Sequence, residues 1–577
     1  MARTVAIGEQ DFSKIITYNS LYVDKSGFIK EWWDNRDTVT LITRPRRFGK
    51  TLTMSMVDYF FSIKHAGRSD LFENCNIWKE KEYRKLQGTY PVIFLSFANV
   101  KGGSFRTIRK KICQLIVDLY EEYQYLIGDA VFRNRGAAYF ERISVDMDDA
   151  DLEISLNQLS RYLYRYYGKN VIILLDEYDT PMQEAYVHGY WDELANLIRG
   201  LFHSAFKTNP YLERALMTGI TRISKESIFS DLNNLEVVSA TSCKYKTVFG
   251  FTEQEVFEAL REYGLQDQAG EVRKWYDGFR FGDCTNIYNP WSITKFLEEK
   301  KFAPYWANTS SNALVGKLIL DGNNEIKMMV EDLIRGRSLV IQIDEQLVFD
   351  QLDQNPDAIW SLLLASGYLK IAGLHSLDDD RSMGLLAYEL MLTNFEVYLT
   401  FRKMIQAWFA AYKQSYHGFI KAVLANNLES MNILLNKIMQ YVVSFFDAGT
   451  KPSEDTQPER FYHGLVLGLM VDLENRYIIT SNRESGYGRY DVLLEPRNDV
   501  DDGIILEFKV NDPKKEKGLE DTVQSAIRQI LDKKYAAVLE ARGIKRNHIR
   551  IYGFAFSGKE VMIDGGTISA YESFTLP

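Results

Sequence analysis

Cysteine is scarce in this sequence. Cys75, Cys113, Cys243 and Cys284 are the four in 577 residues, and none stands at CxxC or CxxxC spacing. That argues against a zinc knuckle and supplies no disulfide framework for so long a chain, so the expectation is four reduced thiols in a reducing compartment. Long hydrophobic runs are also missing. Stretches such as Val171–Leu175 and Gly464–Val471 fall far short of a membrane span. The start, MARTVAIGEQDF, has no apolar core of a secretory signal, so a cytoplasmic protein without membrane partners is expected. Positive charge is not in excess: Lys and Arg total 69 against 78 Asp and Glu, a net charge of −9. Any nucleic acid must then be gripped by a local basic groove, because the field of the whole chain repels it. No internal repeat and no long low-complexity tract is found.

What is there is ordinary for a soluble globular protein: 46% hydrophobic and 25% charged residues, with 35 Tyr and 33 Phe to build aromatic cores. At roughly 150 residues per domain, the length calls for about three or four units. Up to about residue 250, short β-branched runs alternate with amphipathic stretches. TVTLIT (Thr38–Thr43), PVIFLSF (Pro91–Phe97), VIILL (Val171–Leu175) and RALMTGI (Arg214–Ile220) read as strands of a parallel sheet buried on both faces. From Thr252 the pattern turns helical, with Val256, Phe257 and Leu260 at helix spacing before Gly264. Trp275–Trp291 reads as a loop. About 310 to 450 reads as amphipathic helices with few Gly or Pro, and KPSEDTQPE (Lys451–Glu459) as a linker. After it come a helix to about Asp472, strands at Tyr477–Thr480, Tyr490–Leu494 and Ile504–Val510, and a helix over Leu519–Leu531. The expected units are therefore 1–250, a small lid at 251–315, a helical middle at 316–450, and an α/β unit at 455–577.

The sharpest feature is TLITRPRRFGKTLTMSMVDYFF. A strand ends at Thr43, and Gly49-Lys50-Thr51 opens a helix with Leu52, Met56 and Phe60 on one face. A helix N-terminus preceded by a loop of backbone N–H groups is where phosphates are cradled. Arg47, Phe48 and Gly49 would shape that cradle, Lys50 would reach the β- and γ-phosphates of ATP, and the Thr51 hydroxyl would ligate Mg²⁺. The first Gly of GxxxxGK[ST] is replaced here by Arg44. A second element, VIILLDE, ends an apolar strand in paired acids. Asp176 would hold Mg²⁺, and Glu177 would orient the attacking water. At the next strand, Thr218 or Thr221 is placed to sense the γ-phosphate, and Arg222 to stabilise transition-state charge, within its own subunit or across a homo-oligomer interface. GKT and DE also cap helices in many proteins; it is their occurrence in this order that favours the nucleotide site.

The blocks YVDKSGFI, ITRPRRFGKTL, IILLDEYDTP, MTGITRISKESIFSDLNNL, YDGFRFG and YNPWSI resemble the bacterial AAA-ATPase-like family over about residues 5 to 310. The resemblance implies a three-layer α/β P-loop NTPase domain with a helical lid, and makes RPRRFGK the family's own form of the phosphate loop.

In GRYDVLL an aspartate, Asp491, sits in an apolar strand, and IILEFKV follows. Side chains alternate along a strand, so Glu507 and Lys509 share a face while Leu506 and Phe508 enter the core. Two carboxylates and an ammonium in one place can bind Mg²⁺ or Mn²⁺, rather than zinc, and activate water for phosphodiester hydrolysis. Over about 455 to 557 this resembles the PD-(D/E)XK nuclease superfamily, with a restriction-endonuclease-like α/β fold. The resemblance assigns Asp491, Glu507 and Lys509 to the catalytic core, adds Glu459 as a further metal-binding acid, and makes Gln529 an accessory polar residue. His463, one helical turn after Glu459, reads as a packed histidine. Lys509, Lys514, Lys515, Lys517, Arg528, Lys533 and Lys534 either track a phosphate backbone or form a solvated face. The expected activity is an ATPase coupled to cleavage of nucleic acid, DNA first. The rival is a nucleotide-dependent switch or scaffold that binds nucleic acid or protein without cutting it.

Overall fold

In this computed structural model the residues described are 2–128, 137–221, 228–229, 232–306, 318–319, 324–334, 336–343, 358–376, 386–408, 413–446, 470, 473, 475–485, 488–498, 500–512 and 515–572. The chain divides into two compact units, Met1–Ile319 with Leu333–Thr400, and Leu320–Asp332 with Phe401–Pro577.

The first unit is built on five parallel strands: β1 (Val39–Thr43), β2 (Val92–Ser96), β3 (Val171–Asp176), β4 (Leu212–Gly219) and β5 (Leu235–Val238), in the spatial order β2-β3-β4-β1-β5. Alternate residues explain why β3 is apolar throughout. Val171, Ile173 and Leu175 enter one core with the Phe105–Glu122, Asp149–Tyr167 and Trp191–Phe202 helices. Ile172 and Leu174 enter the opposite core with Phe28, Trp32 and the Lys50–Phe61 helix. The sheet is thus covered on both faces, as a continuous apolar strand requires.

Local signals set the helix ends. Asp148 caps Asp149–Tyr167 through Asp151 N, and Gly168 ends it in the left-handed region at φ 66°. Thr252 and Glu255 form a capping box on Glu253–Glu262. The four expected strands are found with ends shifted by at most a few residues, and the short edge strand β5 joins them.

The lid region is not only helical. β6 (Phe251–Thr252), β7 (Phe279–Phe281) and β8 (Cys284–Tyr288) form a small antiparallel sheet in the order β6-β8-β7. The stretch expected as a loop is therefore a hairpin, whose alternate residues Phe279 and Phe281 are buried. The middle region, expected to be mainly helical, also holds strands. β9 (Leu339–Ile341), β10 (Leu369–Ser376) and β11 (Leu386–Leu392) form an antiparallel sheet in the order β10-β11-β9. The stretch expected as one middle unit is shared between the two compact units.

The second unit carries a mixed five-stranded sheet of β12 (Tyr477–Ser485), β13 (Gly488–Pro496), β14 (Gly503–Val510), β15 (Ile549–Ser557) and β16 (Glu560–Thr567), ordered β12-β13-β14-β15-β16. Only β14 and β15 pair in parallel, across a connection that contains the Leu519–Asp532 helix. One face packs Leu506, Phe508, Phe554 and Phe556 with the Lys413–Leu424 and Leu428–Phe446 helices. The other packs Leu493, Ile505 and Ile551 with Ile527 and Ile530 of Leu519–Asp532. Strand alternation puts Asp491, Glu507 and Lys509 on this second face, because they lie two residues from Leu493 or Ile505 or two further on. Among the described residues no helix is long and apolar enough to cross a membrane.

Candidate active sites

In the first unit, the phosphate loop leaves the end of β1 between its two sequence-distant neighbours. Arg47 and Gly49 both adopt left-handed conformations, φ 66° and 81°, before the Lys50–Phe61 helix, the kind of turn from which anion-binding concavities are made. Lys50 is buried, and its ammonium donates to the carbonyls of Arg44 and Pro45, each at 2.9 Å. Burial lowers its pKa, opposed by the nearby Asp176, Glu177 and Asp179. A cavity of about 390 Å³ opens here, lined among others by Arg46, Lys50, Thr51, Glu177, Gly219 and Trp291. Its size suits a nucleotide.

Arg44 shows why the first Gly can be absent. Its side chain does not enter the cradle. It is fully buried, donates from Nη1 to the carbonyls of Thr43 (3.1 Å), Val238 (3.4 Å) and Ser239 (2.6 Å), and stacks 4.2 Å over the ring of Phe281. It ties the end of β1 to the end of β5 and to β7 of the lid. Burial pushes its pKa down to about 9, so holding the charge there weighs against the bonds it makes. Phe48 is equally structural in its ring, which packs at 4.8 Å from Phe279 and 5.6 Å from Phe281. Arg47 is exposed and lies 4.2 Å over Trp291.

The paired acids take separate roles in the geometry. Asp176 ends β3, almost fully buried, with Oδ2 accepting from the Thr51 hydroxyl at 2.7 Å and Oδ1 accepting from the Thr218 hydroxyl. Thr218 therefore meets the acid rather than lining the cavity. Glu177 turns into the left-handed region at φ 52°, lines the cavity, and accepts from the Thr180 hydroxyl at 3.2 Å. Asp179 has no role in the sequence reading, yet it is buried and its Oδ2 accepts from Ile220 N (2.9 Å), Thr221 N (3.0 Å), Thr221 Oγ1 (3.0 Å) and Gln183 Nε2 (3.1 Å). The Tyr178 hydroxyl donates to the Thr221 carbonyl at 2.7 Å. Its place in DEYDTP, two residues past the acid pair, was the available signal. Arg222 lies outside the described residues.

In the second unit, Asp491 on β13 accepts through Oδ2 from the amide of Phe508 on β14 at 2.7 Å, which fixes the aspartate against the strand bearing Glu507 and Lys509. Glu507 is almost fully buried, and its Oε1 accepts from Gln529 Nε2. The same amide nitrogen donates to the Tyr535 hydroxyl at 3.2 Å, so the orientation of Gln529 is set by two acceptors. Burial raises the pKa of Tyr535; Gln529 opposes the shift, and Glu507 and Asp491 add to it. Tyr535 was missed because it lies beyond the helix that carries Gln529. Lys509 is half-buried on the same strand face as Glu507. Glu459 and His463 lie outside the described residues.

Among the described residues no group of three or more His, Cys, Asp or Glu is gathered as for a metal ion. The oxygen donors present, Thr51 with Asp176 and Asp491 with Glu507, are of the hard type that suits Mg²⁺ or Mn²⁺.

These two sites define a class: a P-loop nucleotide-binding domain joined in one chain to a nuclease-type α/β domain. Sequence comparison matches two segments of the chain to known families. Residues 6–229 match the AAA-ATPase-like family, described as Predicted AAA-ATPase, and residues 457–565 match the PD-(D/E)XK nuclease superfamily. A protein of Azotobacter chroococcum mcd 1, described as an uncharacterized protein in the vnfD 5' region, is 24% identical over 566 residues, covering 96% of each chain. That similarity spans both domains and the residues between them. The domains point to ATPase and nuclease roles.

Proposed function

We propose that the protein binds and hydrolyses ATP in its first unit and couples the nucleotide state to hydrolysis of phosphodiester bonds, in DNA, by its second, within the cytoplasm. We take residues 1–250 as the ATPase domain, 251–315 as its lid, 316–450 as the middle region and 455–577 as the nuclease domain. One observation carries the reading: each of two sheets holds a buried strand carboxylate on a polar partner, Asp176 against Thr51 of the phosphate loop and Glu507 against Gln529 beside Asp491.

At the first site Lys50 exchanges its two loop carbonyls for phosphate oxygens, while the N–H groups from Arg47 to Thr51 hold the rest of the phosphate chain. Glu177 holds and orients the water, and Arg222 is the residue that would stabilise the charge that develops. Thr51 and Asp176 are the residues that would hold Mg²⁺. At the second site Asp491 and Glu507, with Glu459, would hold a divalent cation, which when bound supplies charge neutralisation and an acidified water. Lys509 positions the attacking water or phosphate, and Gln529 keeps Glu507 aimed.

The test uses purified full-length protein with Glu507→Ala as the control for cleavage and Lys50→Ala as the control for nucleotide binding. Metal-dependent cleavage lost in Glu507→Ala, with folding intact, supports the nuclease assignment. Unchanged cleavage in that variant removes it. ATP binding without cleavage of DNA or RNA by the wild type favours a nucleotide-dependent switch or scaffold.

A further inference from the structure

Arg46 is absent from the roles above, yet it lines the cavity with Lys50, Thr51 and Glu177. Its backbone is pinned, because its carbonyl accepts from Asn289 Nδ2 at 3.3 Å and from Trp306 Nε1 at 3.1 Å. Its guanidinium is tethered at one nitrogen: Nη2 donates to Gln183 Oε1 at 3.1 Å. Gln183 in turn donates from Nε2 to Asp179 Oδ2 at 3.1 Å. The amide therefore has one permitted orientation, oxygen toward the cation and nitrogen toward the carboxylate, since the reverse sets donor against donor and acceptor against acceptor. Asp179 is held by the N–H groups of Ile220 and Thr221 at the end of β4, which makes the tether rigid at its far end.

The partner chosen for this arginine is informative. Arg44 of the same loop is fully buried and spends its donors on backbone carbonyls, whereas Arg46 is only half-buried, lines the cavity and has one neutral side-chain acceptor. Here a neutral amide stands between Arg46 and the nearest acid of the chain of bonds, Asp179, and among the described residues Arg46 makes no ion pair. The charge is positioned without being neutralised. Arg46 lines the same cavity as Lys50, so two cations face a space whose lining acids include Glu177 and Asp179. An anion bearing more than one charge is the ligand such a pair fits.

We propose that Arg46 contacts the terminal phosphate of a bound nucleoside triphosphate, and that Gln183 is the positioning residue that aims it. This rests on the reading of the first site as an ATP site. A diphosphate, lacking that group, leaves Arg46 on Gln183 alone, so Arg46 sets the preference for triphosphate over diphosphate. The contact also places the Gln183–Asp179–Thr221 chain of hydrogen bonds in direct line with the terminal phosphate.

The experiment measures dissociation constants of MgATP and MgADP for full-length wild type, Arg46→Ala, Arg46→Lys, Gln183→Leu and Lys50→Ala. In Arg46→Ala, MgATP weakens by roughly tenfold or more, the scale of one charge-assisted hydrogen bond, while MgADP changes little. Gln183→Leu lowers the ATP-to-ADP preference in the same direction and by less, and Arg46→Lys restores part of it. Equal weakening of both nucleotides in Arg46→Ala and Gln183→Leu, which general damage to the loop would produce, overturns the proposal, as does no change in either. If wild type binds neither nucleotide, or Lys50→Ala binds both as wild type does, the ATP-site reading itself fails, an outcome distinct from loss of the Arg46 preference alone.

Discussion

Thr51 donates its hydroxyl hydrogen to Oδ2 of Asp176 across 2.7 Å, joining the first turn of the phosphate-loop helix to the last residue of β3. The other oxygen of Asp176 is held by Thr218 at the end of β4, so three adjacent strands of the sheet converge on one carboxylate. Gly219, which ends β4 between β1 and β3, must be small: a Cβ there would come within 2.6 Å of the Tyr178 ring and 2.9 Å of Asp179 Oδ1.

Thr51→Val keeps the shape of the side chain and removes the hydroxyl. The predicted result is a loss of about 1.5–3 kcal/mol in MgATP binding, roughly ten- to a hundredfold, the scale of a hydrogen bond to a charged group. With EDTA in place of Mg²⁺ the difference between variant and wild type should shrink. Titration of both proteins with ATP under the two conditions checks it; a loss independent of Mg²⁺ contradicts the role given to Thr51.

On the second unit the edge strand β16 is capped by two side chains. Asn432 donates to the carbonyl of Ile563 (2.8 Å) and accepts from its N–H (2.8 Å), and Asn436 does the same for Val561 (2.6 and 3.0 Å). One helical turn apart on Leu428–Phe446, they meet alternate residues of the strand and satisfy the groups that face away from β15. The double variant Asn432→Ala/Asn436→Ala should lose about 2–4 kcal/mol of stability, taking about 1 kcal/mol for each hydrogen bond. It should also self-associate through the bared edge. Denaturant midpoints and sedimentation at increasing concentration read the two effects, and a monodisperse variant of wild-type stability contradicts the edge-capping role.

Arg3 holds Glu262 of the lid with its backbone N–H at 2.8 Å and its guanidinium at 2.7 Å, and the hydrogen bond to Arg3 keeps the Glu262 carboxyl below its ordinary 4.5. A carboxyl whose folded pKa is depressed contributes stability that is fully present above the ordinary value and is lost as pH falls through the folded one. The pair is partly exposed, so the contribution is about 0.5–1 kcal/mol. Urea midpoints of wild type and Glu262→Gln should differ at pH 7 and converge as pH falls through the depressed Glu262 value. A gap that persists in acid contradicts the assignment.

Legibility in the sequence followed burial. β1, β3 and β14 are apolar because cores press on both faces, and they were readable for that reason. β5 was not, since Leu235–Val238 is a short edge strand with one fully buried residue. The β7–β8 hairpin was hidden by glycine: Gly282 at φ 56° makes the turn, and the same residue type suggests a loop. β10 and β11 lie where helical spacing and strand alternation are hard to tell apart in short apolar runs. At the sites, Lys50, Thr51, Asp176 and Glu507 carry a local pattern. Asp179 has only its place in DEYDTP, and Gln183 and Tyr535 have no such signal, because what makes all three matter is a partner brought in by the fold: the end of β4 for Asp179, the phosphate loop for Gln183, and Gln529 for Tyr535.

An ATP site coupled to a nuclease site in one chain would make cleavage respond to nucleotide. The most direct test is cleavage of plasmid and single-stranded DNA in Mg²⁺ or Mn²⁺, with and without ATP, by wild type, Lys50→Ala and Glu507→Ala. Cleavage should disappear in Glu507→Ala, and ATP should alter it in wild type but leave it unaltered in Lys50→Ala. Cleavage that is indifferent to ATP in the wild type, or that survives in Glu507→Ala, contradicts the coupling of these two sites.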